Sequence, residues 1–537
     1  MWMENSQLQQ KKSIIFLALV TIFLLSVALN YINVDPIEEH ASDEHAYIGF
    51  ANRYIFLQNK EPAFFPWQPQ GTALLSYALG TVSRVSTVPI EVVFRISHVL
   101  TLLFIVLSSY QLGKALSLRT VSLLVFTALF ALFPSTGTWQ GPAGMTPSTL
   151  AIIPILNIIT NLITKNWKLF SFWILLLALI HWWLLIPIAV FLFVYFLFHR
   201  IHSPSLFFLI LGVITILSIF TQPILKSAMP IFAPLLQSPK AIFEGGQFWG
   251  GTNYFQFLTS HIKYLLPISL PAFLYAILQI YQVRKSGLKP IPLHTLGPLL
   301  LVTSILLLLM AGPTLLSRSI VLLYTGIFLL VAYFFTFIAK KSAKLMPFLF
   351  GLLFIVGTVH VAQTNAQQFF TQISITRTER SFIQHLQQNK SIQDQLIVSD
   401  FNSMLLLTNY IDTPPIIHLL DTTESEYIGL DLHQLMKFFP TPVLSLQEIG
   451  FLDTLKAQTH SKELYVLISD RTRVYTNSFE ATGDPIGYRG VPKNFTVYPP
   501  VPAESKLSTD PFKLILKLKD TTDSSFIALY EYKPITE

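Results

Sequence analysis

Two adjacent carboxylates, Asp43 and Glu44, are the side chains of this sequence best suited to chemistry. They belong to a group of six acids in one short segment: Asp35, Glu38, Glu39, Asp43, Glu44 and Glu61. Between residues 92 and 378 the chain has one further acid, Glu244. Because an ionised carboxylate is costly to bury, acids gathered in one segment of an apolar chain are candidates for function. A carboxylate in a partly dehydrated cleft can act as a general base, although Asp43 is equally suited to capping a helix.

The rest of the chain has the composition of a membrane protein. It has 537 residues, of which 52% are hydrophobic, and a mean hydropathy of +0.54. Repeated apolar runs near 20 residues are typical of transmembrane helices. We predict about eleven spans, at about 14–31, 93–113, 120–134, 148–164, 169–181, 183–198, 205–222, 264–283, 295–312, 319–338 and 345–363. The first run is too long for a cleavable signal peptide and is predicted to be a membrane anchor.

The basic residues predict how the chain crosses the membrane. If the N-terminus is cytoplasmic, thirteen Lys and Arg fall in short inner loops, where Glu4 is the only acid. The positive-inside rule is then obeyed at every inner loop. This topology leaves outside the cell a first outer loop (about 32–92), a second long outer loop (about 223–263) and the segment 364–537. Because the basic residues lie at the ends of the spans, membrane topology also accounts for the net charge of +7, and no nucleic-acid partner is predicted.

The segment 364–537 has the composition of a soluble domain. A helical pattern at 366–388 and strand patterns predict a small α/β fold, with strands at 395–400, 415–420, 463–469 and 525–532. The chain has no Cys, and this segment has no Gly-rich phosphate loop or metal-spaced His cluster. We therefore predict a polytopic α-helical membrane domain (1–363) followed by an extracytoplasmic α/β domain (364–537) that acts as a cap or a partner-binding module.

The residues around Asp43 carry a resemblance to a known family. Asp43-Glu44-His45-Ala46-Tyr47 is followed by Ala51-Asn52-Arg53-Tyr54, Pro62, Phe65-Pro66-Trp67-Gln68-Pro69 and Leu74-Leu75-Ser76-Tyr77. This pattern resembles the first extracytoplasmic loop of C-type (GT-C) glycosyltransferases. It is most similar to the branch of protein O-mannosyltransferases and lipid A aminoarabinose transferases. Relatives often have a basic residue, able to contact the donor phosphate, where Gln68 stands here.

The resemblance implies a multi-pass enzyme of the cell envelope. It would transfer a sugar, with inversion, from a polyprenyl-phosphate-linked donor to a glycan, lipid or protein acceptor at the outer face of the cell membrane. The family's catalytic aspartate matches Asp43, with Glu44 beside it. Bases near the membrane surface would bind the donor phosphate, and the candidates are Arg318, His261, Lys263 and Arg95. Arg318 can equally be an arginine that extends to the membrane surface.

Arg95 and its neighbour His98 lie just inside the second predicted span, where a charge needs a partner. A loop carboxylate or the donor phosphate can be that partner.

Candidates for sugar or acceptor contacts come from both outer loops. The segment 244–257 contains four glycines and several aromatic residues, which is typical of a mobile binding loop. The candidates are Glu244, Trp249, Asn253 and Tyr47. Tyr47 belongs to a predicted helix at 42–56 whose aromatic face can lie on the membrane surface. No cofactor and no metal site is predicted, although Glu38 or Glu39 with Asp43 can supply oxygen ligands to a divalent cation.

Three other functions remain open from the sequence. A polymerase or ligase of lipid-linked glycans would use a pyrophosphate donor. A transporter or flippase for lipids or glycans would place titratable groups or broken helices at mid-membrane, and no acid falls within a predicted span. A scaffold or receptor acting through the outer domain would not need Asp43.

Overall fold

The computed structural model describes 2–31, 39–41, 47–48, 51, 73–132, 145–181, 184–200, 247–248, 252–253, 266–286, 292–341, 372–374, 377–389, 392, 395–399, 417–418, 463–469, 512–519 and 526–533. Its helices are α1 (Trp2–Tyr31), α2 (Ala73–Ser86), α3 (Ile90–Ala115), α4 (Thr120–Leu132), α5 (Pro147–Thr164), α6 (Trp167–His181), α7 (Leu185–Arg200), α8 (Leu266–Lys285), α9 (Pro292–Lys341) and α10 (Arg377–Gln388). Its strands are β1 (Glu39–Ala41), β2 (Gln247–Phe248), β3 (Thr252–Asn253), β4 (Gln372–Ser374), β5 (Leu396–Ser399), β6 (Ile417–His418), β7 (Leu464–Ser469), β8 (Phe512–Lys519) and β9 (Phe526–Tyr532).

Most of the predicted spans coincide with helices. Among the described residues, three helices are long and apolar enough to cross a membrane: Lys12–Tyr31, Ile90–Ala115 and Pro147–Thr164. The predicted break between the fifth and sixth spans is confirmed, because α6 ends at His181 and α7 begins at Leu185. Helix α2, in the predicted first outer loop, was not predicted. The predicted spans 205–222 and 345–363 lie outside the described residues.

Helix α5 lies in the centre of the bundle, packed against α3 and α6. The side chain of Thr146 caps its N-terminus by accepting a hydrogen bond of 3.2 Å from the backbone N–H of Thr149. The helix ends at Lys165, which has a left-handed backbone conformation. Asn157 is buried and its amide donates to the hydroxyl of Ser108 in α3 at 2.9 Å. This bond satisfies a polar pair inside an otherwise apolar core.

Helix α9 turns back on itself. A Cβ atom built on Gly326 would lie only 3.1 Å from the carbonyl oxygen of Gly297, although 29 residues separate the two glycines. In a straight helix, that number of residues spans about 44 Å. The helical backbone must therefore reverse direction between these glycines. The reversal agrees with the two spans predicted at 295–312 and 319–338, which become two packed limbs of α9.

The last third of the chain forms a mixed five-stranded sheet. The strand order is β6-β5-β7-β9-β8, with β6 and β7 parallel to β5, and with β9 antiparallel to both β7 and β8. Helix α10 contacts β8 and β9, and the apolar side of α10 is buried through Phe382, Ile383 and Leu386. The predicted strands therefore form, but the edge strand β8 was not predicted.

Within the helix predicted at 366–388, the described helix spans Arg377–Gln388, and Gln372–Ser374 forms a strand instead. This strand, β4, pairs antiparallel with β1 and aligns His40 with Ile373. The two-stranded ribbon connects the predicted first outer loop to the segment that leads into α10. Sequence periodicity cannot predict such a pairing, because its partners are more than 330 residues apart.

Candidate functional site

The C-terminal end of α1 and the N-terminal end of α3 meet at one end of the bundle. The phenol of Tyr31, the last residue of α1, is hydrogen-bonded to Nδ1 of His98 in α3. The two rings also meet edge to face, with centroids 5.6 Å apart. Met145, just before α5, lies at this end too, because the hydroxyl of Thr101 in α3 is 3.4 Å from its sulfur. These residues define what we call the Tyr31 end of the bundle.

Arg95 is buried at the Tyr31 end, with 9% of its surface exposed. Its guanidinium carbon lies 5.3 Å from the centroid of the Tyr31 ring, which is a cation–π distance. Arg95 and His98 are three residues apart on α3, so they share one face of the helix. That face is turned toward Tyr31. A buried cation in an apolar helix is costly and is usually retained for a function.

The N-terminus of α3 adds positive potential at the same end. Pro89 is the N-cap residue, and within the described part of the chain no side chain caps this terminus. The backbone N–H of Val93 donates to the carbonyl of Pro89 at 3.1 Å. The N–H groups before Val93 lie too early to find a partner within the helix, and the helix dipole makes this end positive. Together with Arg95, this terminus attracts an anion. Glu91, in the first turn of α3, already places one negative charge at this end.

Residues of the predicted first outer loop pack on the Tyr31 end. Ile48 and Ala51 are fully buried in a cluster with Phe94 of α3 and with α2. The hydroxyl of Ser76 in α2 donates to the carbonyl oxygen of Tyr47 at 3.0 Å. The described residues of the helix predicted at 42–56 are helical; Ile48 and Ala51 are buried against protein, and Tyr47 is half-buried.

The predicted site residues are described to different extents. Arg95 and Tyr47 are described with their side chains, and both lie at the Tyr31 end. Arg318 is described as part of the α9 backbone, and Asn253 as part of β3, where it pairs with Gln247 in a short hairpin. The other predicted site residues lie outside the described residues: Asp43, Glu44, Glu244, Trp249, His261 and Lys263.

Tyr31 is the residue that sequence reasoning missed. It ends the first apolar run, a position where tyrosine is common at the membrane–water boundary, so its type and place gave no reason to single it out. We expected a loop carboxylate or a donor phosphate beside Arg95 and His98. The structure places the aromatic ring of Tyr31 beside both residues, whereas Asp43 and Glu44 lie outside the described residues, so that expectation stays a prediction. Only the packing of α1 on α3 brings these residues together.

Solved membrane enzymes have the same fold. An oligosaccharyltransferase of Archaeoglobus fulgidus, in complex with zinc and sulfate, superposes with a TM-score of 0.56 and 12% identity, covering 87% of this chain and 70% of that chain. The oligosaccharyltransferase AglB of the same organism, with an inhibitory peptide and a dolichol-phosphate, gives 0.56 and 10%, covering 89% and 71%. The mycobacterial arabinofuranosyltransferase AftD gives 0.52 and 13%, covering 96% of this chain but 40% of that chain.

No protein-family model matches the sequence, and no curated protein is significantly similar to it. At these identities the likeness is one of fold. The chain has the GT-C fold, the fold that the resemblance implied. It is accordingly an integral membrane protein.

Proposed function

We propose that this protein is a membrane glycosyltransferase that moves a sugar from a polyprenyl-phosphate-linked donor to a glycan, lipid or protein acceptor on the extracytoplasmic face. The observation that carries the proposal is the GT-C fold, shared with an oligosaccharyltransferase and an arabinofuranosyltransferase. One of these structures holds a dolichol-phosphate, which belongs to the chemical class of the proposed leaving group.

Asp43 is the proposed general base. Strand β1 ends at Ala41, two residues before it, and Tyr47, four residues after it, packs on the Tyr31 end. The segment that carries Asp43 is therefore anchored on both sides. Glu44, beside Asp43, is proposed to orient the acceptor. A general base in such a site accelerates proton transfer by about 10²- to 10⁴-fold.

The proposed reaction balances without a cofactor. The acceptor hydroxyl attacks the anomeric carbon of the sugar and gives its proton to the carboxylate of Asp43. The bond from that carbon to the phosphate oxygen breaks on the opposite side, which inverts the configuration. The polyprenyl phosphate leaves with the electron pair. Cations stabilise its charge, and the proposed groups are Arg95, Arg318, His261 and Lys263.

Sugar and acceptor are proposed to contact residues of both outer loops: Tyr47, Glu244, Trp249 and Asn253. Asn253 belongs to β3, which pairs with β2, and Trp249 lies between these strands in the sequence. Aromatic side chains offer a flat apolar face to a sugar ring. We propose a membrane domain (1–363) followed by an extracytoplasmic domain (364–537). The pairing of β1 with β4 supports this, because it joins the first outer loop to residues of 364–537, and both must then lie on the same side of the membrane.

The proposal is tested with the full chain purified from membranes. Lipids that remain bound are extracted and identified by mass spectrometry, and the release of free polyprenyl phosphate is measured from a panel of polyprenyl-phosphate hexoses and pentoses. We expect a bound prenyl-phosphate lipid, and turnover of at least one donor. Asp43→Asn should lower that turnover by about 10²-fold or more.

The matched control is Glu61→Gln, which removes another acid of the same segment and should retain turnover. Both variants should insert into membranes and melt at the temperature of the unchanged protein. Turnover by Asp43→Asn at a normal rate would exclude Asp43 as the base. Failure of every lipid-phosphate donor, with turnover of a pyrophosphate-linked donor, would favour the polymerase or ligase.

A further inference from the structure

We infer that the outward face of α2 is a membrane-contact surface, and that α2 lies in the headgroup region of the bilayer at the Tyr31 end of the bundle. The partner of this face is therefore a lipid surface. The evidence is an exposed apolar face on a helix too short to span the bilayer, next to the lipid-facing side of α3. The inference is independent of the proposed glycosyl transfer, because it concerns only how an integral membrane protein meets its membrane.

Helix α2 has apolar side chains on both its inner and its outer face. On the inner face, Leu75 and Leu79 are buried in the cluster with α3. The buried hydroxyls of this face also find acceptors within the protein, since Ser76 donates to the carbonyl oxygen of Tyr47 and Ser83 donates to that of Val88 at 2.6 Å. The outer face carries mainly apolar side chains that the protein leaves exposed: Leu74, Tyr77, Ala78, Thr81, Val82 and Val85. A helix that is apolar on both faces is typical of a protein core or a membrane, not of a surface in water.

The exposed apolar residues form one continuous face. At 3.6 residues per turn, Leu74 and Val85 lie near its centre, and Val82 lies toward one edge. Val85 has 80% of its surface exposed. The sequence of α2 contains no acid and a single base, Arg84, which lies at the other edge of this face. A basic side chain in that position can extend to the phosphate groups of lipids while its neighbours contact the acyl chains.

Helix α2 cannot be a membrane span itself. Its 14 residues extend over about 21 Å, whereas the hydrocarbon core of a bilayer is about 30 Å thick. Its buried side chains cluster with Ile90 and Val93, in the first turn of α3, and with Met145, just before α5. Helix α2 also contacts α6. Because it packs on the N-terminal ends of α3 and α5, α2 lies at the end of the bundle.

The lipid-facing side of α3 begins close to α2. Helix α3 is long and apolar enough to cross a membrane, and its exposed apolar side chains form a stripe that faces lipid: Ile96, Leu100, Phe104 and Leu107. Ile96 lies six residues after the start of α3, which is about 9 Å along the helix axis. Only residues 87–89 separate α2 from α3. This distance matches the depth of about 5–10 Å to which interfacial helices are embedded, so the exposed face of α2 continues the lipid-facing surface of α3.

The membrane contact has a consequence for the first outer loop. The inner face of α2 holds the backbone of Tyr47 through Ser76 and packs on Ile48 and Ala51. With lipid on one face of α2 and these residues on the other, the embedded helix fixes the height of this part of the loop relative to the bilayer.

The experiment measures how deeply α2 lies in lipid. Because the full chain has no cysteine, a nitroxide label can be attached at one introduced position, Leu74→Cys or Val85→Cys. Each labelled protein is placed in nanodiscs of phosphatidylcholine and phosphatidylglycerol that hold a single copy. Power-saturation electron paramagnetic resonance then compares collisions of the label with oxygen, which concentrates in lipid, and with a water-soluble nickel complex. Both labels should collide preferentially with oxygen, at a depth of about 5–10 Å below the headgroup boundary.

Two reference positions calibrate the measurement. Phe104→Cys lies on the lipid-facing stripe of α3, and Lys513→Cys lies on the exposed strand β8. Collisions at both α2 labels that match those at Lys513→Cys would overturn the inference. Absence of both kinds of collision would also overturn it, because another part of this chain, not lipid, would then cover the face.

A charge placed in the centre of the face tests the contact itself. Val85→Asp should lift α2 out of the lipid and shift the label at Leu74→Cys toward collisions with the nickel complex. Ser86→Asp is the matched control, because it adds the same charge in the same helical turn but points about 100° further round the helix. It should leave the label at its original depth. Equal shifts from the two aspartates would overturn the inference, since the charge would then act on the helix and not on its lipid contact.

Discussion

Gly326 lies directly against Gly297, on the opposite limb of α9. A Cβ atom on Gly326 would come within 3.1 Å of the Gly297 carbonyl oxygen and within 3.3 Å of the backbone nitrogen of Leu301. Since these neighbours are backbone atoms, they cannot turn aside as the tip of a side chain can. A side chain at position 326 would therefore have to push the two limbs apart by a few tenths of an ångström.

Gly326→Leu should separate the limbs of α9 and destabilise the bundle. Overpacking of this kind costs about 1–3 kcal/mol, and Gly326→Ala should cost less because it adds one carbon. Thermal unfolding of the detergent-solubilised protein measures the loss. Ile305→Leu, at an exposed position of the same helix, is the matched control and should melt normally. A normal melting temperature for Gly326→Leu would mean that the limbs do not cross there.

The ribbon of β1 and β4 should be open to cross-linking. His40→Cys/Ile373→Cys joins two directly paired positions, and the chain has no cysteine of its own to interfere. Paired residues of an antiparallel ladder have Cα atoms about 4.5–5.5 Å apart, within the range of a disulfide. Mild oxidation should therefore give one intramolecular disulfide, detected by mass spectrometry of the digested protein.

The diagonal pair Ala41→Cys/Ser374→Cys serves as the control for register. These positions are offset by two residues from direct pairing, and diagonal neighbours lie about 7–8 Å apart. Cross-linking should be much slower than for the direct pair. Equal rates for both pairs would show that the first outer loop and the segment before α10 are near each other without a fixed register.

Arg318→Ala should weaken donor binding more than acceptor binding. The reason is that the guanidinium group is proposed to contact the lipid phosphate of the donor. The dissociation constant for undecaprenyl monophosphate should rise, while the KM for the acceptor changes little. Arg200→Ala, which removes an exposed cation in the last turn of α7, is the control. If Arg318→Ala weakened donor binding and acceptor binding equally, Arg318 would have a structural role rather than a contact with the donor phosphate.

The sequence was sufficient to predict the positions of the membrane spans, because the ability of a segment to cross a membrane depends on the residues of that segment alone. A run of about 20 apolar residues must be helical in lipid, since no water is present to satisfy its backbone. Helices α3, α4, α5 and α8 accordingly lie where the apolar runs predicted them. Helix α2 was missed because it is short and amphipathic, and its stability depends on packing against Ile48, Ala51 and α3.

Residue types in the first outer loop were also enough to indicate the GT-C fold, which the solved structures confirm. They were enough to mark Arg95 as a cation in need of a partner, because a charge inside an apolar run can be seen in the sequence. They did not indicate that the ring of Tyr31 lies beside Arg95. Tyr31 precedes Arg95 by 64 residues on another helix, and no periodicity connects residues on different helices.

The tertiary structure alone decided three relationships: the cation–π contact of Arg95 with Tyr31, the crossing of Gly326 with Gly297, and the pairing of His40 with Ile373. Each joins parts of the chain that are distant in sequence. Hydrophobicity determines which segments enter the membrane, whereas side-chain shape and directional hydrogen bonds determine which of those segments touch, and these act only once the helices have assembled.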